Sequence, residues 1–173
     1  MKKIISLLTL VLLASLPSLA QKNAVAIIDA NYILRQIPAY ETAQEQLDKE
    51  SQKWRSEIEK VNAEAKTLYD NYQTEIALLS PEMKVKRENE IIEKEKQAQE
   101  LKRKYFGENG ELFKKQSALL KPIQDEIYTA VKSIADKEGY ALVLDKNTTR
   151  SLIYAVPKID ISDQVLTALG YAK

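Results

Sequence analysis

From about residue 40 to residue 138, apolar side chains recur three and four apart, and Glu, Lys and Gln fill most positions between them. That spacing predicts helix, because a helix brings such positions onto one face whereas a strand alternates every second residue. The first stretch carries Leu47, Trp54, Ile58, Val61, Ala65, Leu68, Tyr72, Ile76 and Leu79 on one stripe. A stripe this narrow suits one partner helix and leaves the rest of the surface to water. It stops at Leu79-Ser80-Pro81-Glu82, where Ser80 is a good N-cap, Pro81 suits a first helical position and Glu82 complements the positive helix start. A second stretch then runs Ile91, Glu95, Ala98, Lys102, Tyr105, Asn109, Leu112, Gln116, Leu119, Ile123, Ile127, Ala130 and Ile134, with the same beat and a more polar seam. Joined by so short a turn, the two arms are antiparallel neighbours. An arm of ~40 residues is roughly 60 Å long.

The flanks have a different pattern. Residues 24–29 form a short apolar run rich in β-branched side chains, which predicts a buried strand. Asp29 can cap the two helical turns that follow, which end before Pro38. At the other end, Gly139 is the expected stop of the second arm. Residues 140–145 repeat the character of the first strand, 146–150 make a turn, and 151–155 make a third strand. Asp160-Ile161-Ser162-Asp163 opens a short helix closed by Gly170. The predicted class is mainly α with a small β body. Residues 21–39 and 122–173 form a discontinuous β/α oligomerisation body, and residues 40–121 form a helical hairpin with its tip near 80–81. Three short strands and two short helices expose much edge, so association of copies through this base is expected.

Inside the second arm, Gly107 and Gly110 each cost a helix ~1 kcal/mol relative to Ala. Folding about Ser80 and Pro81 sets Gly107 opposite Trp54, the only Trp. Three readings fit: room for the indole, a hinge for the outer arm, or a local loop. Pro122 is expected to kink the helix where the arm joins its base.

Composition narrows the chemistry. The first 20 residues have the form of a secretory signal: Lys2 and Lys3, an apolar run over 4–16, and small residues before a cleavage point between Ala20 and Gln21. That run is shorter than the ~20 residues a membrane span needs. The chain has 26 Lys and Arg against 25 Asp and Glu, and without Lys2 and Lys3 the balance is 24 to 25, a net −1. Such a balance points neither to nucleic acid nor to membrane contact. With no Cys and no His, there is no disulfide framework, no His- or Cys-based nucleophile system and no usual zinc set. With 4 Gly in all, a phosphate cradle is hard to place. No catalytic residue, metal site or cofactor is expected, and the chain is not read as an enzyme.

The order of elements resembles the Skp/OmpH family of periplasmic chaperones. The resemblance rests on Val25-Ala26-Ile27-Ile28-Asp29, Ile37-Pro38-Ala39-Tyr40, Leu79-Ser80-Pro81-Glu82, Leu120-Lys121-Pro122-Ile123, Gly139-Tyr140-Ala141-Leu142-Val143-Leu144-Asp145 and Asp160-Ile161-Ser162-Asp163-Gln164-Val165-Leu166. It implies a jellyfish-like homotrimer in which strands build a body and hairpins project as tentacles. It also implies an ATP-independent holdase that keeps unfolded outer-membrane β-barrel proteins from aggregating in the periplasm. Client contacts are then expected at Tyr69, Tyr72, Leu78, Leu79, Met83, Tyr105 and Phe106, with Tyr72, Leu79 and Tyr105 also fitting the hairpin seam. Copies are expected to meet through Ile27, Val143, Leu144 and Leu152. Family members are basic, this chain is near neutral, and no lipopolysaccharide-binding set carries over. An exported coiled-coil envelope spacer or adhesin stalk shares the arms and is the alternative.

Overall fold

A computed structural model describes residues 25–171; the signal segment and the junction between Ala20 and Gln21 lie outside them. The first strand, β1 (Val25–Ile28), leads into α1 (Ala30–Arg35), whose N-cap is Asp29: its carboxylate accepts the Tyr32 N–H at 2.9 Å. Pro38 then opens α2 (Pro38–Glu75), where its missing N–H costs nothing. At 38 residues, this helix is about 57 Å long. Residues 76–80 turn the chain, and Ser80 Oγ accepts the Met83 N–H at 3.3 Å to start α3 (Pro81–Phe106). After a break at 107–110 comes α4 (Glu111–Glu138), ended by Gly139 in the left-handed conformation with φ 75°. Next are β2 (Leu142–Asp145), a 3₁₀ turn (Pro157–Ile159) and α5 (Ser162–Ala168).

The two ends of the chain meet in a two-stranded parallel sheet, with Ala26 opposite Val143 and Ile27 opposite Leu144. On the far side of β1, Ile161 N–H donates to Ile27 O at 2.9 Å, next to a parallel bridge between Ile27 and Asp160. The core lies between this sheet and the helices: Ala26, Ile33, Ile37, Ile123, Ile127, Ala130, Ile161, Val165 and Leu166. Ile33, Ile37, Ile161 and Val165 are the largest fully buried side chains, each contributing about 1.5–3 kcal/mol over exposure.

Two expectations change. Residues 151–155 are not a strand: among the described residues their backbone pairs with no strand edge. The second arm is two helices rather than one, broken at 107–110. Pro122 lies inside α4, which runs through it, and just beyond it Ile123, Ile127 and Ala130 enter the body core.

Candidate functional site

The hairpin seam is built from Ala43, Leu47, Val61, Ala65 and Tyr72 on α2 against Ile91, Ala98 and Tyr105 on α3. Polar pairs fix its register from both sides. Lys94 reaches Glu64 at 2.6 Å, Lys115 on α4 reaches Glu50 at 2.6 Å, and Arg87 lies 3.7 Å from Glu75. The hydrogen bond from Lys115 holds the Glu50 carboxyl below its usual range, and that from Lys94 does the same for Glu64. Two tyrosines on the seam donate across it to the other arm, Tyr72 to Glu88 and Tyr105 to Glu57, and each bond to a carboxylate raises the phenol's pKa. Trp54 stacks flat on Tyr105, centroids 4.9 Å apart, and meets Phe106 edge-on at 6.3 Å.

This geometry divides the residues expected to hold clients. Tyr72 and Tyr105 are buried in the seam, so their rings already have partners and they leave the set. Leu79 and Phe106 are half-buried, the latter against Trp54. Tyr69 and Met83 are each 51% exposed and Leu78 is 88% exposed, all three in the distal part of the arm. Val85 and Ile92 on α3, which the seam pattern passes over, are also exposed. They break the helical stripe, and an apolar side chain off the stripe was the signal that could have found them.

The body also presents apolar surface. Ile28, Leu34, Ile127, Tyr128, Val131 and Val143 line an open groove of about 470 Å³ between the sheet and α4. Beyond β2, Ile153 is 99% exposed and Tyr154 77% exposed, in an extended stretch whose backbone pairs with no strand among the described residues. Of the expected interface residues, Val143, Leu144 and Leu152 are half-buried. Ile27 is buried inside the single chain between β2 and the Asp160 segment, which removes it from that set.

A polar tie at the ends of the strands escaped the sequence pattern. Asp29 accepts from Asn147 Nδ2 at 2.7 Å and sits 3.1 Å from Lys146 Nζ, which also lies 3.5 Å from Asp160. Ser162 Oγ donates to Asp160 at 2.6 Å and accepts the Asp29 N–H at 2.8 Å. Asp145 accepts the Ala30 N–H at 3.2 Å. Burial opposes the charge on Asp29, and the bonds from Tyr32, Asn147 and Lys146 overcome it, lowering its pKa to about 2. Asp145 and Asp160 are lowered in the same way. These carboxylates are engaged in closing the body, and among the described residues no acidic group is arranged to hold a metal ion.

A long charged hairpin standing on a small body made from both chain ends, with apolar residues left open far from that body, defines a tentacled scaffold rather than a catalytic cleft. A family model described as outer membrane protein (OmpH-like) matches residues 24–169, and the chain belongs to that family. It is 28% identical over 168 residues to the chaperone protein Skp of Yersinia enterocolitica, covering 96% of this chain and 98% of that one. With the Skp of Vibrio cholerae it shares 27% identity over 162 residues, covering 91% and 89% of the two chains. The crystal structure of an OmpH-like chain from Caulobacter crescentus shares the fold at a TM-score of 0.64, with 14% identity and 85% and 83% coverage.

Proposed function

We propose that this protein is an ATP-independent periplasmic holdase for unfolded outer-membrane β-barrel proteins, working as a homotrimer. The chaperone role follows from the family; the carrying observation for the finer reading is the set of open apolar side chains, Tyr69, Leu78, Met83, Val85 and Ile92, spread along a mostly charged arm. Spread over several mobile arms, contacts of that kind are each too weak to fix a client conformation, and together they hold it reversibly. No nucleotide, metal or other cofactor enters this reading.

Trimer formation has a physical motive in the body. Among the described residues, the outer edge of β2 and the stretch at 152–156 are two unpaired edges on one small domain. If that stretch meets the edge of a neighbouring copy, each contact joins two different surfaces, and rotation closes such contacts into a ring. Ile153, Tyr154 and Leu142 would then leave water.

The test is dilution of a urea-unfolded outer-membrane β-barrel protein into buffer with and without the purified protein, no nucleotide added, followed by light scattering. Suppression at near-stoichiometric protein is expected. Undiminished scattering from folded, oligomeric protein would refute the holdase reading and leave the envelope spacer.

A further inference from the structure

The break in the return arm has a shape that a simple weak point does not explain. In an antiparallel pair, facing residue numbers have a sum that varies within about one helical turn, and on the tip side it runs from 158 for Lys94 and Glu64, through 159 for Trp54 and Tyr105 and 160 for Tyr72 and Glu88, to 162 for Arg87 and Glu75 and for Tyr105 and Glu57. On the body side, Lys115 and Glu50 give 165. The body-side sum exceeds those on the tip side by three to seven, which brackets the four residues of the break; three or four residues looped out without advancing along α2 amount to roughly 5 Å of helix at 1.5 Å per residue.

The local geometry shows where they went. Gly107 N–H still closes the last helical bond of α3, to Arg103 O at 2.9 Å, but its ψ of 171° leads the chain out of the helix. Gly110, also extended, folds back so closely that an added Cβ would lie 2.8 Å from Tyr105 O and 2.9 Å from Lys104 O. At Gly107 a Cβ would lie 2.4 Å from Arg103 O. Both contacts are with backbone, which cannot step aside, so this loop demands glycine at both positions. Opposite the loop α2 is unbroken, and Trp54 grips the end of α3 through Tyr105 and Phe106.

We propose that residues 107–110 are stored length: a looped-out turn that can refold as helix, lengthening the return arm alone and so bending the hairpin. Added length on one of two helices about 10 Å apart turns the distal half by about 30° with α2 on the inside. Only the use of this bend by a chaperone, to fit its arms to cargo of different size, rests on the proposed function.

The absence of Cys allows spin labels at Lys96→Cys and Ser117→Cys, two exposed positions on α3 and α4, with the distance measured in the otherwise intact protein. With the length stored, it is about 26 Å; with a continuous helix it is about 31 Å. The shorter value is expected, and a wild-type distance of about 31 Å would overturn the proposal. Changing Gly107 and Gly110 to Ala forbids the loop and favours helix, so the distance should lengthen by about 5 Å; an unchanged distance in folded protein would also overturn it. Should that variant fail to fold, Gly107→Ala with residues 108–110 deleted should keep the short distance. A further shortening by roughly 5 Å would mean that nothing had been looped out. None of these distances bears on suppression of aggregation, so the two readings fail separately.

Discussion

At Asp29 one carboxylate caps α1, binds Asn147 and pairs with Lys146, so a residue near the start of the chain fastens a segment near its end. Its side chain is only 22% exposed, so these bonds are partly shielded from water. The folded pKa of about 2 lies below the ordinary 3.8. A carboxyl depressed on folding contributes its full stabilisation above the ordinary value and loses it as pH falls through the folded one. Asp29 should thus supply about 1–2 kcal/mol at neutral pH, fading between pH 4 and pH 2. Replacing Asp29 with Asn should lower the urea midpoint clearly at pH 7 and hardly at pH 2. An equal loss at both values would mean that the charge plays no part. Asp145 and Asp160 are depressed too and reinforce the same acid limit.

At the scale of elements, the hairpin was legible because its signal is local: Val61, Ala65, Tyr72, Ile91, Ala98 and Tyr105 all belong to the predicted stripe and all are buried. The caps at Asp29, Ser80 and Gly139 were legible for the same reason, since each acts within one helical turn. The tie among Asp29, Lys146, Asn147, Asp160 and Ser162 was not, because Asp29 lies more than a hundred positions from the other four and meets them only once β1 and β2 are in register. Residues 151–155 misled in the opposite direction: their β-branched and aromatic side chains suit a strand, but a strand exists only where an edge accepts it. Gly107 was expected opposite Trp54, but the indole packs on Tyr105 and Phe106, and the glycines answer to backbone contacts with Arg103, Lys104 and Tyr105. The stack has its own consequence. Trp54→Ala should destabilise the arm by about 2 kcal/mol, and hydrogen exchange should quicken on α3 and distal α2 while the body keeps its protection. Uniform quickening would show that arm and body unfold as one unit.

For the whole molecule, the question is whether the open apolar surface of the body is an interface between copies. Val143 alone cannot decide it, because Val143 also packs on the protomer's own core, and Val143→Asp would damage fold and assembly together. Ile153 separates the two. With 99% of its surface exposed in the single chain, an Asp there removes almost no contact that the protomer makes for itself, so helical content and core should be unchanged. If residues 152–156 meet the edge of a neighbouring copy, the same carboxylate would be carried into an apolar contact without a partner, which costs several kcal/mol per site. In a ring of three the penalty recurs at every interface. Sedimentation is therefore expected to give three chains for the unaltered protein and folded single chains for Ile153→Asp, with suppression of client aggregation lost alongside. An unaltered mass would place the interface elsewhere on the body, with the groove lined by Leu34, Tyr128 and Val131 the next surface to test.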